Sequence, residues 1–288
     1  MKSEEAEHSF IFSFVQITDT HCLEKYKKLP YSLARTFFRF GRSSFHWRDS
    51  ANSFSILQNT IAYVNQKIKP NFLIHTGDLT EQGKLSDLKT TRELLAKLIC
   101  PHYSLMGDND GEAHSHSNFN RSNYLKVFGQ RRYSFDCQGW HIVILSVYPD
   151  DAELNWLRRD LSENAARPII FATHHLIVGN FALWFVEKCL RIKLFMPRAG
   201  EVLKILKNCP NVKLVLSGHC HSNFRREKDG VNFVSTAALV EVPHRFTLFR
   251  IYQNKITMTL FTAHTAKDVF NQQWFSRAYR VLNIDFLR

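Results

Sequence analysis

Two histidines one residue apart, His219 and His221, follow the apolar run Val212, Leu214, Val215, Leu216 and the pair Ser217-Gly218. Neutral imidazole is a common metal ligand, and Gly218 lets the backbone turn so that both rings face one crevice. A lone His-x-His also describes two solvated loop residues. Four other apolar runs end in the same kind of chemistry. Phe14 to Thr18 leads into Asp19 and His21, Phe72 to Thr76 into Gly77 and Asp78, Tyr103 to Met106 into Gly107, Asp108, Asn109 and Asp110, and Ile169 to Thr173 into His174 and His175. Ligands of open α/β sheets bind outside the carboxyl ends of the strands, so five such ends delivering Asp, His and Asn describe one site.

An oxygen and nitrogen donor set of this kind suits Mn²⁺, Fe²⁺ or Zn²⁺ rather than Ca²⁺, with Mn²⁺ the first expectation. Seven candidate ligands among these residues are too many for one ion. Two ions about 3.5–4 Å apart, sharing a carboxylate, clamp an in-line displacement at phosphorus and turn bound water into hydroxide near neutral pH.

The elements that must position these residues are legible from periodicity. Phe10 to Thr18 is nearly apolar throughout, as in a strand buried on both faces. Phe54, Leu57, Ile61, Val64 and Ile68 recur at helical spacing, predicting a helix over Asp49 to Lys69 closed by Pro70. Further helices are expected over Leu85 to Ile99, Glu153 to Leu161 and Glu201 to Lys207. Tyr133 to Cys137 and His141 to Val147 read as a hairpin about Gln138-Gly139. This alternation argues for a layered sheet with covering helices. Phe233 to Thr236, Arg245 to Tyr252 and Ile256 to Thr262 read as a second, antiparallel sheet.

Two stretches stand out from this frame. Residues 24–48 are rich in Lys, Arg and aromatic side chains, and a helix from Pro30 to about Phe40 places Arg35, Arg39 and Arg42 on one face and Leu33, Phe37 and Phe40 on the other. Such a face is either an ordinary surface helix or one that meets a lipid surface or an anionic substrate. Leu176 to Met196 is apolar but interrupted by Glu187, Lys188, Arg191 and Lys193. It reads as a buried helix, or as an apolar lid or membrane-dipping element beside the site. His114 and His116, in the polar loop after Asp110, read as solvated, and the tail from Trp274 to Arg280 is again basic and aromatic.

At 288 residues and 44% hydrophobic side chains, the chain holds material for one large core, and no linker divides the proposed ligands, so one domain over residues 1–288 is expected, with insertions at about 24–48 and 176–198. A net charge of +12 implies an anionic partner, whether nucleic acid, a negatively charged membrane surface or a phosphorylated substrate, and charge alone does not choose among them. A phosphorylated small molecule or lipid, with peripheral membrane contact, is the expectation, and no nucleic acid. Six cysteines without regular spacing, two of them beside the proposed ligands, argue for a reducing compartment, and a cytoplasmic position is expected. Neither a secretory signal nor an apolar run long enough for a membrane span is visible.

Taken in order, Asp19-x-His21, Gly77-Asp78, Gly107-x-x-Asp110, His174-His175 and Gly218-His219-x-His221 resemble the calcineurin-like metallophosphoesterases. The opening Gln16-Ile17-Thr18-Asp19-Thr20-His21 is most similar to the class III cyclic-nucleotide phosphodiesterases, as is Ala199-Gly200-Glu201. The resemblance implies an α/β fold of the four-layer αββα sandwich type. It also implies one metal on Asp19, His21 and His221, a second on Asp108, His174 and His219, and Asp78 as the bridge.

One motif departs from the pattern. Where the family usually reads Gly-Asn-His-Asp or Gly-Asn-His-Glu, this chain has Gly107-Asp108-Asn109-Asp110, which places Asp108 in the ligand position and Asn109 in that of the catalytic histidine. Asn109 cannot give up a proton as an imidazolium does, and a general acid contributes roughly 10²- to 10⁴-fold, mostly for poor leaving groups. The replacement therefore favours a phosphoanhydride over a cyclic nucleotide. It is also similar to the enzymes that cleave UDP-2,3-diacylglucosamine in lipid A biosynthesis. The leading expectation is a metal-dependent pyrophosphatase of such a lipid-linked nucleotide, with Asn109, Asp78 and His174 catalytic. A class III cyclic-nucleotide phosphodiesterase is the alternative, and a degenerate metal-binding protein the third reading.

Overall fold

The structure is a computed structural model and describes residues 10–24, 48–111, 122–190, 193–262 and 278–285. The basic segment with Arg35, Arg39 and Arg42, the loop bearing His114 and His116, and most of the basic tail lie outside the described residues.

Two six-stranded sheets face each other. The first is built on β1 (Phe10–Ile17), β2 (Phe72–His75) and β3 (His102–Ser104), which run parallel, and continues on the other side of β1 through β10 (Phe246–Tyr252), β11 (Lys255–Phe261) and β12 (Ala278–Asp285). The second places β5 (Trp140–Leu145), β6 (Ile169–Ala172), β7 (Val212–Ser217) and β9 (Val231–Ser235) in parallel, with β4 (Arg132–Cys137) and β8 (Phe224–Lys228) antiparallel at its edges.

Alternation along each strand sorts its side chains into layers. Phe12 and Phe14 of β1 point between the sheets, where they meet Ile142, Ile170 and Leu214. Val15 and Ile17 point the other way, onto Ile56, Leu57 and Leu88 of helices α1 (Ser53–Tyr63) and α2 (Leu85–Leu95). The second sheet repeats this, with Leu214 and Leu216 inward and Val215 packed against the helix layer. After the short helix α3 (Ser122–Phe128), that layer comprises α4 (Asp151–Glu163) and, past α5 (Phe181–Leu190), α6 (Ala199–Lys207). The result is the expected αββα stack. Phe14 stacks between Phe72 and Phe249, at ring distances of 5.1 and 4.7 Å, which ties β2, β1 and β10 together. Burying a phenylalanine of this kind contributes about 1.5–3 kcal/mol.

Several local expectations change: the helix expected over Leu85 to Ile99 ends at Leu95, and within Leu176 to Met196 only Phe181–Leu190 is helical, with Phe181, Trp184 and Phe185 exposed. The helix over 49–69 starts only at Ser53 and ends in a π turn, Val64–Ile68, after which Lys69 takes a left-handed φ of 51° ahead of Pro70. The helix expected from Glu153 starts two residues earlier. Asp150 caps it, with the Glu153 N–H donating to Asp150 at 2.8 Å and the Asp150 N–H to Glu153 at 3.0 Å. Finally, 233–236, 245–252 and 256–262 do not form a sheet of their own. β9 lies parallel to β7, whereas β10 pairs antiparallel with β1. These pairings span long separations in sequence, which alternation within a strand cannot reveal.

Candidate dinuclear metal centre

The residues just beyond β1, β2, β3, β6 and β7 converge on one edge of the two facing sheets. Asp19, His21, Asp78, His219 and His221 hold left-handed backbones, with φ of 51°, 43°, 54°, 62° and 50°. Non-glycine residues rarely adopt that region, although Asp and His tolerate it better than most. Each such residue costs on the order of 1–3 kcal/mol unless its surroundings hold it, and such strain clusters at functional sites. The glycines here leave room for the ligands. A Cβ on Gly218 would strike Thr18 and Asp19, and one on Gly107 would strike Asp78.

Two overlapping groups result, Asp19, His21, Asp78 and His221, and Asp78, Asp108, His174 and His219, and within each group one atom per residue lies within 4.8 Å of all the others. Asp78 belongs to both. In the first, Asp19 Oδ1 is 3.3 Å from His221 Nε2 and 3.8 Å from His21 Nε2. In the second, Asp108 Oδ1 is 3.0 Å from His174 Nε2 and 3.1 Å from His219 Nδ1.

The far ring nitrogens are held by acceptors. His174 Nδ1 donates to the Thr76 carbonyl at 2.7 Å, and His219 Nε2 to the Lys193 carbonyl at 2.6 Å. His221 Nδ1 lies 2.6 Å from Glu241 Oε1. His21 Nδ1 is 3.0 Å from Glu81 Oε2, close but not aligned as a hydrogen bond. Partners of this kind fix tautomer and orientation, so that the near nitrogen keeps a lone pair for a cation.

The donor set fits a pair of cations. Asp19 Oδ1 is fully buried and receives no hydrogen bond, while its Oδ2 accepts from Thr18 Oγ1 at 2.7 Å and the His219 N–H at 3.0 Å. Burial alone would raise the Asp19 and Asp108 carboxyls, but the histidines beside them hold both well below the usual range. The same field favours positive charge on the rings. Against the desolvation of burial, Glu241 and Asp19 push His221 up to about 10, and Asp78 and Asp108 raise His174.

Not every candidate lies at the cluster. Asp110 turns into the protein, accepting the N–H groups of Gly107, Leu79 and Thr80 at 2.9, 3.2 and 2.9 Å, so it clamps the loops after β2 and β3 together. Burial, together with the charge of Asp78, lifts its carboxyl to about 7. Asn109 does adjoin the centre. Its N–H donates to Asp78 Oδ1 at 2.8 Å and its side-chain amide to Asp78 Oδ2 at 2.6 Å. His175 lies behind, its ring 4.1 Å from that of His219.

Sequence reasoning missed Glu81, Glu241, Arg48 and the Lys193 carbonyl. Glu81 follows Asp78 by three residues, a spacing that could have flagged it. The others approach from separate loops.

Residues 12–223 match the family described as calcineurin-like phosphoesterase. The chain belongs to that family. This phosphoesterase is 24% identical over 250 residues to a 3′,5′-cyclic-nucleotide phosphodiesterase of Nostoc sp., covering 84% of each chain. It is also 24% identical over 196 residues to the 3′,5′-cyclic adenosine monophosphate phosphodiesterase CpdA of Pseudomonas aeruginosa, covering 65% of this chain and 67% of that one. In fold it is similar to a dimetal phosphatase from Danio rerio, with a TM-score of 0.69 at 14% identity over 96% of this chain and 99% of that one. The purple acid phosphatase PPD1 of yellow lupin gives a TM-score of 0.63 at 12% identity, over 96% and 54% of the two chains. The phosphoesterase is thus a metal-dependent hydrolase with a site for two divalent ions.

Proposed function

We propose that this phosphoesterase hydrolyses cyclic nucleotides, using Asp19, His21 and His221 for one ion, Asp108, His174 and His219 for the other, and Asp78 for both. The observation that supports this reading most is the extent of likeness to a cyclic-nucleotide phosphodiesterase, 84% of each chain, joined to a ligand cluster in which each proposed ligand takes part. It displaces the lipid-linked pyrophosphatase as the leading expectation.

Two bound divalent ions, manganese first among those considered, would supply a hydroxide near neutral pH and neutralise charge at phosphorus. The protein's own part is to hold that arrangement. Asp78 is fixed at both oxygens by Asn109, while Thr76, Lys193 and Glu241 aim three of the rings. Asn109 donates hydrogen bonds but cannot give up a proton, so it does not act as general acid for the departing ribose oxygen.

Asn109 also favours a second reading, an anhydride substrate whose phosphate leaving group needs no proton. Its lipid-linked form draws on α5, where Phe181, Trp184 and Phe185 are 75%, 49% and 53% exposed on one face. Such a face beside Lys188 suits an anionic bilayer. No helix among the described residues is long and apolar enough to cross a membrane.

The test is a panel at matched Mn²⁺, comparing cyclic AMP, a UDP-linked acylated sugar and an activated aryl diester. Cyclic AMP should turn over fastest of the two biological substrates. Faster cleavage of the anhydride would replace the first reading with the second, and sedimentation with anionic vesicles would add its membrane component. Bound metal with no hydrolysis, even of the aryl diester, would leave the degenerate binding protein.

A further inference from the structure

Arg48 reaches the metal centre from the chain just ahead of α1. Its backbone bridges to Glu241, which backs His221, and its Nη1 donates to Glu81 Oε1 and Oε2 at 2.8 and 2.7 Å. One arginine therefore joins the two carboxylates that stand behind the histidines of the first ion. Glu81 engages Nη1 alone. The other arm, Nη2, points inward to 3.4 Å from His21 Nε2, the ring nitrogen that faces Asp19 and Asp78.

A guanidinium has only N–H donors and keeps its charge at any physiological pH. Placed there, Nη2 is a fixed donor at the rim of a cation site, and the side chain is still 20% exposed. Once a cation takes the His21 lone pair, Nη2 and the cation flank the same small volume. An oxygen that accepts from Nη2 and binds the cation satisfies both, and the two positive charges favour an anionic one.

We propose that Arg48 is a substrate-binding residue that holds a non-bridging phosphoryl oxygen of the substrate, and of the phosphomonoester product, beside the first metal position. The inference rests on the dinuclear reading of this site. Its chemistry is that of a phosphate monoester or diester anion, whatever group the phosphate carries. A planar guanidinium held at Nη1 by Glu81 loses little freedom on binding, which suits it to phosphate better than a lysine.

The probe is inorganic phosphate, titrated calorimetrically into the manganese-loaded full chain, with metal content measured on the same samples. Arg48→Gln should keep two ions and bind phosphate about tenfold more weakly, in line with the loss of a charge-assisted hydrogen bond. Arg48→Lys, which keeps the charge but loses the fork, should fall between the two. On whatever ester the enzyme cleaves, KM should rise more than kcat falls. Phosphate affinity unchanged in Arg48→Gln overturns the proposal. So does loss of an ion from that variant, because Arg48 would then act only through Glu81 and His21. Should Arg48→Gln not fold, Arg48→Lys decides alone, and wild-type phosphate affinity there counts against the proposal. Failure to cleave cyclic AMP while the phosphate result holds would sink the substrate reading and leave the role of Arg48 standing.

Discussion

Asn109 grips both oxygens of Asp78, through its backbone N–H at 2.8 Å and its side-chain amide at 2.6 Å. The residue in the usual place of the catalytic histidine is therefore bound to the carboxylate shared by the two ligand groups. This contact tightens the orientation of Asp78 and directs the amide away from any role as a proton source.

Asn109→His should raise hydrolysis of diesters with alkoxide leaving groups, toward the roughly 10²-fold lower end of general-acid catalysis, and change cleavage of aryl esters little. Asn109→Ala should lower both, since Asp78 loses the partner of one oxygen. Steady-state rates on cyclic AMP and on an aryl diester separate these effects. A histidine variant unchanged on every substrate would place the leaving group elsewhere.

Removing the shared ligand should be far more damaging than altering Asp108. Asp78→Ala is expected to abolish turnover and to lose bound metal, because both ligand groups include Asp78. Asp108→Asn keeps an oxygen beside His174 and His219, so it should retain turnover while binding the second ion more weakly, one charge having been removed. Metal content after dialysis and activity against metal concentration check both.

The five strand ends were readable because a strand buried on both faces leaves a continuous apolar run, and Asp or His placed directly after it has little structural reason to be there. Of the Asp, His and Asn residues at those ends, the seven that the family resemblance singled out enter the ligand groups, whereas Asn109, Asp110 and His175 do not. What escaped came from pairings distant in sequence. β10 lies beside β1 across more than two hundred residues of chain, and Glu241, just ahead of β10, is carried to His221 by that pairing. The Lys193 carbonyl is backbone and carries no side-chain signal at all. The aromatic residues of α5 looked equally like core and surface, and only packing decides that Phe181, Trp184 and Phe185 face outward.

The carboxylates behind the rings should be measurable as metal affinity. Glu241→Gln removes the charge 2.6 Å from His221 Nδ1, and the amide can still accept the hydrogen bond, so the fold is retained while the ring becomes less basic. The expected loss is about 10- to 100-fold in affinity for the first ion, the range typical of such outer partners. Glu81→Gln should weaken the same ion and also free Arg48. Competition against a chelator reads both, and wild-type affinity in Glu241→Gln would make that contact incidental.

The last expectation concerns stability far from the centre. His141 of β5 is buried between two carboxylates, with Nδ1 2.7 Å from Asp136 Oδ1 and Nε2 2.9 Å from Asp160 Oδ2. Burial disfavours its charged form, but hydrogen bonds from both ring nitrogens to Asp160 and Asp136 outweigh that and raise it above 6.5. A group raised on folding adds stability that is complete below its unfolded value and disappears as pH climbs through the folded one. Asp136 is lowered, chiefly by its hydrogen bond to His141, so its share is present above about 3.9 and vanishes as pH falls through its folded value. Together they make the stabilisation complete between about pH 3.9 and 6.5, fading below as Asp136 gains its proton and above as His141 loses its own. Replacing His141 by Asn should therefore lower the urea midpoint more at about pH 6 than at alkaline pH above the folded pKa of His141. Equal losses at both would mean that His141 stabilises β4 and β5 by packing rather than by charge.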